Sequence, residues 1–366
     1  MSLSTIAGGS VVNILRVFSE NKIEKRYLPR AASSLLFALF AEPFRWWEHL
    51  KYDRVVSKME LKEPPVFILG HWRSGTTYLH NLMCEDPRMG YVTTYQGVFP
   101  ELLGSEWIFK TFMQTAMPEK RPSDNVMLSP DFPQEEEFAM GNMNPYGFYN
   151  FWFFPKRTKE FYERYVEFKG VESSVISRWK SDYIRLVKKA LLYTKRERFI
   201  SKNPPHTGRI KLLLEMFPDA RFIHIYRNPV TVFISTKKLA EATMPAIQFQ
   251  DISNEEVEEN ILWIYERMMK GYLRDKKLIS KENLVEICFE KFEKNTLREL
   301  ERIYESLRLK GFDAAKPKMV HYIESQKSYE KNKYNIPRTV IEKITSRWKF
   351  AMEEWNYLLP DNVDVV

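Results

Sequence analysis

Two glycines that bracket four residues follow a short apolar run, and this spacing is typical of a loop that holds phosphate. The run is Val66–Leu69, and the loop has the frame G-x-x-x-x-G-T-T over Gly70–Thr77. In nucleotide triphosphatases a lysine follows the second glycine, and the next hydroxyl holds Mg²⁺. Here Thr76 occupies the lysine position, and the cation inside the loop is Arg73. Because backbone N–H groups at the start of a following helix bind anions, we expect this loop to hold phosphate without the usual lysine.

A second cation and hydroxyl occur after another strand-like run. Arg221–Tyr226 is such a run, Arg227 follows it, and Pro229 suits the first turn of a helix that carries Ser235. A triphosphatase would place an aspartate here to organise Mg²⁺, whereas arginine and serine favour a phosphate. Together the two motifs predict a nucleotide that is phosphorylated at two places.

On these residues the chain resembles the sulfotransferases that use 3′-phosphoadenosine 5′-phosphosulfate (PAPS). The resemblance covers roughly residues 64–350, and it includes both motifs and the central segments 199–206 and 217–224. Arginine at position 73, where cytosolic members carry lysine, and the segment Pro133–Phe138 are more similar to bacterial members, some of which act on sterols. The resemblance implies the following donor-binding residues: Arg73, Ser74, Gly75, Thr76 and Thr77 for the 5′-phosphosulfate, Arg227 and Ser235 for the 3′-phosphate, Lys202 at the position of a family lysine, and a late basic loop with Lys331 and Lys333.

The resemblance implies transfer of a sulfuryl group from PAPS to a hydroxyl of a hydrophobic small molecule such as a sterol, lipid or phenol. The products would be the sulfate ester and adenosine 3′,5′-bisphosphate, and no metal is expected. Arg73 would stabilise the negative charge that develops on the leaving phosphate. Two alternatives stay open: a P-loop kinase or triphosphatase, which would need Mg²⁺ and a lysine, and a nucleotide-binding protein without turnover.

A hydroxyl acceptor also needs a general base, and the sequence offers several. The candidates are the acidic cluster Glu135, Glu136 and Glu137, then His206, and finally His71, His80 or His224. Cytosolic relatives place a histidine two residues after the lysine that Lys202 matches, but here that position is Pro204. We favour Glu135 and Glu137 over His206, because the cluster falls in an aromatic-rich segment that would lie on the acceptor side.

Strands that alternate with helices would position these residues. The pattern predicts strands at Val66–Leu69, Arg198–Ser201, Arg221–Tyr226 and Leu284–Phe289. It predicts helices between and after them, including Thr207–Phe217 and Lys291–Leu309. This order predicts an α/β fold with a mostly parallel, P-loop-like sheet flanked by helices and with the ligand at the carboxyl ends of its strands. We predict an N-terminal helical arm over residues 1–60 and one sulfotransferase-like domain over 61–366.

An insert over about residues 97–160 shows no clean period and is rich in proline and aromatic residues. A long irregular stretch inside a compact domain usually serves function, so its aromatic run Tyr146–Phe154 is a candidate wall for an apolar acceptor.

Composition narrows the class of partner. The formal net charge is +8 and the pI is near 9.1, but the basic residues are interspersed with acidic ones, which disfavours nucleic-acid binding. The two cysteines give no disulfide framework, and the first residues lack a secretory signal, so cytoplasm is the expected location. The apolar segment 31–47 is too short to span a bilayer, which leaves a helix packed on the core or a surface for peripheral membrane contact.

Overall fold

The computed structural model of the protein describes residues 4–119, 127–326, 334–360 and 363–365. Its centre is a five-stranded, entirely parallel sheet in the order β2-β3-β1-β4-β5. The strands are β1 Val66–Leu69, β2 Met89–Gly90, β3 Arg198–Lys202, β4 Arg221–Tyr226 and β5 Leu284–Cys288, and a separate two-stranded sheet pairs β6 Tyr334–Ile336 with β7 Val363–Val365. This architecture confirms the predicted α/β fold with a parallel sheet.

Helices cover both faces of the large sheet. They are α1 Val11–Ser19, α2 Leu28–Lys58, α3 Thr76–Cys84, α4 Thr94–Val98, α5 Glu106–Ala116, α6 Glu136–Met143, α7 Asn150–Phe153, α8 Thr158–Tyr165, α9 Ser173–Thr194, α10 Ile210–Met216, α11 Pro229–Ile247, α12 Asn254–Asp275, α13 Phe289–Lys294, α14 Thr296–Ser306, α15 Phe312–Ser325, α16 Arg338–Arg347 and α17 Lys349–Glu354. Along β1, Val66 and Ile68 pack with α3 and α14, whereas Phe67 and Leu69 pack with α9 and α10 on the other face. Every side chain of β1 is therefore buried, which explains its unbroken apolar sequence.

Most strands lie where the sequence predicted them, whereas three helical segments differ from the prediction. The predicted helix Lys291–Leu309 is broken into α13 and α14, and the helix expected from Thr207 begins at Ile210 after a 3₁₀ turn over Pro204–Gly208. The insert 97–160 also contains regular helices, notably α5 and α6. Nearly all of α6 is buried, so it carries no alternation of apolar and polar residues that a period search could find.

Residues 4–60 pack against the rest of the described chain. Ala31 and Ala38 of α2 belong to the same apolar core as α7, α8, α11 and α12. Glu48 of α2 forms a fully buried ion pair with Lys189 of α9, with 2.6 Å between Oε1 and Nζ. The boundary at residue 60 stays a prediction, but helix α2 is an integral part of the packing.

Candidate active site

The glycine-bracketed loop makes a tight turn between β1 and α3. Gly70 has φ 147° and Gly75 has φ 94°, and a Cβ on Gly75 would lie 2.1 Å from the Phe289 ring. Arg73 adopts the left-handed conformation with φ 67°. The Gly70 N–H donates a 2.8 Å hydrogen bond to Thr207 Oγ1 and fixes the start of the turn. Only glycine fits at position 75 without displacing Phe289, and the turn delivers the first backbone N–H groups of α3 to the loop.

The two motifs predicted for phosphate meet in space. Strands β1 and β4 are parallel neighbours, so their carboxyl ends open at the same edge of the sheet. Arg73 Nε donates a 2.7 Å hydrogen bond to Ser235 Oγ on α11, and Arg227 Nη1 donates a 3.3 Å bond to the carbonyl oxygen of Arg73. Two guanidinium groups and a helix N-terminus therefore border one small region, which suits a ligand with more than one anionic group.

A third cation lies on the other side of β1. Lys202 ends β3, and its Nζ donates a 2.6 Å hydrogen bond to Glu135 Oε1. The side chain of Lys202 is 3% exposed and that of Glu135 is 13% exposed. The hydroxyl of Tyr149 also donates to Glu135, and Trp72 Nε1 donates a 2.8 Å bond to the Tyr149 oxygen. A continuous set of hydrogen bonds thus joins Glu135 to the phosphate-type loop.

The other two glutamates of the acidic cluster point into the protein. Glu136 is fully buried and accepts a 3.0 Å bond from Ser201 Oγ, and burial raises the pKa of its carboxyl to about 8. Glu137 is also fully buried and forms a bidentate pair with Arg209, with distances of 2.6 and 2.8 Å. The Phe148 N–H donates a further 2.7 Å bond to Glu137. This saturated environment gives Glu137 the character of a structural counterion.

The candidate histidines are buried as well. His206 has no exposed surface and its Nε2 lies 2.9 Å from the Tyr183 hydroxyl; burial, and then the Arg209 charge, lower its pKa well below the usual value. Burial also lowers the pKa of His80 and His224, both without exposed surface. His71 differs because it borders a cleft, although burial lowers its pKa to about 4. The geometry therefore leaves Glu135 and His71 as the candidates beside the loop.

Residues 64–314 match the model of the sulfotransferase family, and this match spans more than half of the chain. The chain belongs to the sulfotransferase family. It is similar to the omega-hydroxy-beta-dihydromenaquinone-9 sulfotransferase Stf3 of Mycobacterium bovis and of Mycobacterium tuberculosis, at 30% identity over 315 residues that cover 85% of this chain and 80% of the relative.

Two solved structures share the fold of this sulfotransferase. The sulfotransferase STF9 from Mycobacterium avium aligns with a TM-score of 0.65 at 17% identity and covers 86% of this chain and 82% of its own. The sulfotransferase STF1 from Mycobacterium tuberculosis H37Rv aligns with a TM-score of 0.62 at 15% identity, covering 92% of this chain and 89% of its own. Both structures confirm, at the level of the fold, the predicted similarity to sulfotransferases.

The sulfotransferase has a narrow apolar cleft beside its loop. Trp72 of the loop and Phe151 and Trp152 of the aromatic run line one part, and α11 and α12 supply the remainder. Met244, Ala240 and other apolar side chains of α11 face this cleft on the same helix that carries Ser235. Two rings of the predicted aromatic wall therefore line a cavity next to the cation-rich edge, while others, such as Phe148, are packed in the core.

The remaining predicted donor-binding residues differ in burial, and two of them are not described by the structure. Ser74 and Thr76 are buried in the loop and at the start of α3, whereas Thr77 is half-buried. Lys331 and Lys333 of the late basic loop lie outside the described residues. Within the described ranges, no group of three or more His, Cys, Asp or Glu side chains is arranged to hold a metal ion. Sequence reasoning missed Tyr149, which donates to Glu135.

The residues present fit an anionic sulfuryl donor. At the loop, a Cβ on Gly70 would lie 2.5 Å from the Ile225 carbonyl oxygen, so the backbone there is as close to β4 as it can come. Arg227 and Ser235 contact Arg73 of the loop, and the Glu135 carboxylate beside the loop is paired with Lys202. Membership of the sulfotransferase family implies a sulfuryl donor, and this edge of the sheet is the candidate site for it.

Proposed function

We propose that this sulfotransferase transfers a sulfuryl group from PAPS to a hydroxyl of a hydrophobic small molecule, preferentially a hydroxylated lipid. The observation that carries the proposal is the 2.7 Å hydrogen bond between Arg73 and Ser235, which brings the two phosphate-type motifs within reach of one nucleotide. PAPS supplies an activated sulfuryl group and carries phosphate at both the 5′ and 3′ positions. A nucleoside triphosphate would need only the first motif, together with a lysine and Mg²⁺.

The two phosphate positions divide between the two motifs. The N–H groups at the start of α3 and the Arg73 guanidinium would hold the 5′-phosphosulfate, since a helix N-terminus favours an anion. Arg227 and Ser235 would hold the 3′-phosphate through charge-assisted hydrogen bonds. A guanidinium group is a fixed positive charge in proteins, so the role proposed for Arg73 is to stabilise charge on the departing phosphate and not to act as an acid.

Glu135 is the base that the geometry favours. It lies beside Lys202 and retains some exposed surface, whereas Glu137 is enclosed by Arg209 and His206 is sealed in the core. We assign Glu135 the removal of the proton from the acceptor hydroxyl. Lys202 and Tyr149 hold its carboxylate in place through the hydrogen bonds described above.

The proposed class of acceptor rests on the side chains that line the cleft and on the substrate named for a similar protein. The cleft beside the loop is lined mainly by aromatic and aliphatic side chains, which suits an apolar ligand with one polar end. The similar Stf3 proteins are named for a hydroxylated menaquinone. Among lipid, sterol and phenol acceptors, we therefore place hydroxylated lipids first.

Two measurements test the proposal. The purified chain is incubated with sulfur-labelled PAPS and a panel of hydroxylated prenyl lipids, sterols, phenols and sugars, and labelled sulfate esters are separated and counted. Calorimetry then compares adenosine 3′,5′-bisphosphate with ATP–Mg²⁺. We expect label in a lipid ester and tighter binding of the bisphosphate. Tighter binding of ATP–Mg²⁺ would favour the kinase alternative, and bisphosphate binding without transfer to any acceptor would favour a nucleotide-binding protein.

A further inference from the structure

The outward side of α2 is apolar over several turns. Its exposed large side chains are Leu36, Leu39, Phe40, Trp46, Trp47 and Leu50, and their exposed fractions run from 55% for Trp47 to 82% for Leu50. They are spaced three, four or seven residues apart, so they share one face of the helix, opposite the buried stripe that includes Ala38 and Ala41. From Leu36 to Leu50 this face extends about 21 Å.

Helix α5 extends the same surface. Its Trp107 is 75% exposed, and the ring of its Phe112 lies 5.2 Å from Phe37 of α2. The turn before α5 also lies against α2, because a Cβ on Gly104 would be 3.4 Å from the Trp47 ring. We call the exposed apolar side chains of α2 and α5 the α2–α5 face. Soluble monomers rarely expose a contiguous apolar surface of this extent, and such surfaces mark contact sites.

Charged groups are directed away from this face in its middle and gather at its ends. Between Ala31 and Trp47 the charged residues are Glu42 and Arg45. Arg45 is 1% exposed and donates to the carbonyl oxygen of Gly8 at 2.9 Å, while Glu42 accepts a 2.6 Å bond from the Val11 N–H. Both therefore serve contacts within the protein.

Basic side chains flank the apolar stretch. Lys25 precedes it, and Lys51, Arg54 and Lys58 follow it; all four are exposed. The carboxylates of Glu24, Glu48 and Asp53 in the same stretches are paired with Lys156, Lys189 and Arg185. The formal net charge of the chain is +8. An apolar helix face with tryptophans and flanking basic residues is the pattern of a helix that lies in the plane of a membrane surface.

We propose that the α2–α5 face docks the protein on the surface of an anionic lipid bilayer, with α2 parallel to the membrane plane. No helix among the described residues has the length and apolarity needed to cross a bilayer, so the contact would be peripheral. A second copy of the chain fits this face less well. Because both ends of α2 are basic, either a parallel or an antiparallel pairing of two copies would bring like charges together, whereas anionic headgroups complement both ends.

The start of the docked helix lies beside the helix that lines the acceptor cleft. Arg30, near the start of α2, donates to the carbonyl oxygens of Gln248 and Pro245 at 2.8 and 3.2 Å. Pro245 is close to the end of α11, and the preceding Met244 lines the cleft. This link deepens the proposed function, since a lipid acceptor would leave the bilayer near the cleft, but the docking itself does not depend on sulfuryl transfer.

Vesicle sedimentation of the full chain tests the docking. Wild-type protein is mixed with vesicles of phosphatidylcholine alone or with added phosphatidylglycerol, and the bound fraction is measured against lipid concentration. The double variant Trp46→Glu/Leu50→Glu removes the apolar contact at exposed positions, and Leu278→Glu, at a 55% exposed leucine outside the face, is the matched control. We expect the double variant to weaken binding to the anionic vesicles about tenfold or more and the control to leave it unchanged.

Several outcomes would overturn the proposal. The first is that wild-type protein does not bind anionic vesicles, and the second is that the double variant binds them as well as wild type does. The third is that wild-type protein binds no vesicles but forms a dimer, which the double variant converts to a monomer. Transfer to a water-soluble hydroxylated acceptor without vesicles is measured in parallel. We expect the double variant to match wild type there, so loss of docking is distinguishable from failure of the proposed function.

Discussion

Replacing single members of the acidic cluster should give two different kinds of defect, although the residues are consecutive in sequence. Glu135→Gln keeps an acceptor for Lys202 and Tyr149 but removes the proposed base. Glu137→Gln keeps the shape of the side chain but leaves the Arg209 guanidinium, which has no exposed surface, without its ion-pair partner. We therefore expect Glu135→Gln to impair transfer and Glu137→Gln to impair stability.

The expected magnitudes follow from the two environments. General-base catalysis is typically worth about 10²–10⁴-fold, so Glu135→Gln should lower kcat for an aliphatic alcohol by at least about 10². Breaking a buried ion pair costs about 3–5 kcal/mol. With an unfolding entropy of about 2.1 cal/mol/K per residue over 366 residues, that loss lowers Tm by about 4–7 °C. Below its Tm, Glu137→Gln should retain kcat within about tenfold.

The assay measures Tm by differential scanning fluorimetry, transfer of labelled sulfate well below both Tm values, and affinity for adenosine 3′,5′-bisphosphate. Affinity should change little in either variant. An acidic phenol should be less sensitive to Glu135→Gln than an alcohol, because it needs less help to lose its proton. The reasoning is refuted if Glu137→Gln is folded but inactive while Glu135→Gln is active, and retained activity in Glu135→Gln with loss in His71→Gln would move the base to the histidine.

Three further outcomes follow from the same geometry. Arg73→Ala should lower kcat by about 10²-fold or more and Arg73→Lys by less, since one charge-stabilising donor is worth roughly 3–4 kcal/mol; a tenfold loss or smaller for alanine would remove Arg73 from the reaction. Arg227→Ala and Ser235→Ala should weaken binding of adenosine 3′,5′-bisphosphate, measured by calorimetry, far more than binding of the 5′-monophosphate, and equal losses would place them elsewhere. The pKa of Glu136 is raised from 4.5 to about 8, so the folded state holds a proton that the unfolded chain releases, and wild-type stability should fall as pH rises from about 4.5 to 8. Glu136→Gln should flatten that fall in Tm, and an unchanged slope would contradict the buried, protonated carboxyl.

The sequence predicted the structure best where the local residue pattern and the order of the strands determine it. An unbroken apolar run such as Val66–Leu69 indicates a buried strand, and the observed β1 has those bounds. The glycine spacing predicted a loop between β1 and α3, and the structure has one there. Parallel neighbours open at one edge, so the meeting of Arg73 with Ser235 follows from topology once the strands are known.

The separate environments of the three glutamates could not be read from the sequence, because they depend on partners far along the chain. Successive residues on a helix point about 100° apart. Glu135 precedes α6, and Glu136 and Glu137 lie in its first turn, so the three carboxyl groups diverge toward Lys202, Ser201 and Arg209. Only the packing of α6 against β3 and the turn before α10 decides which carboxyl reaches the loop. Because of that divergence the three carboxyl groups have different environments: Glu135 is the partly exposed, proposed base, Glu136 is buried beside Ser201, and Glu137 is paired with Arg209. Single substitutions can therefore tell them apart.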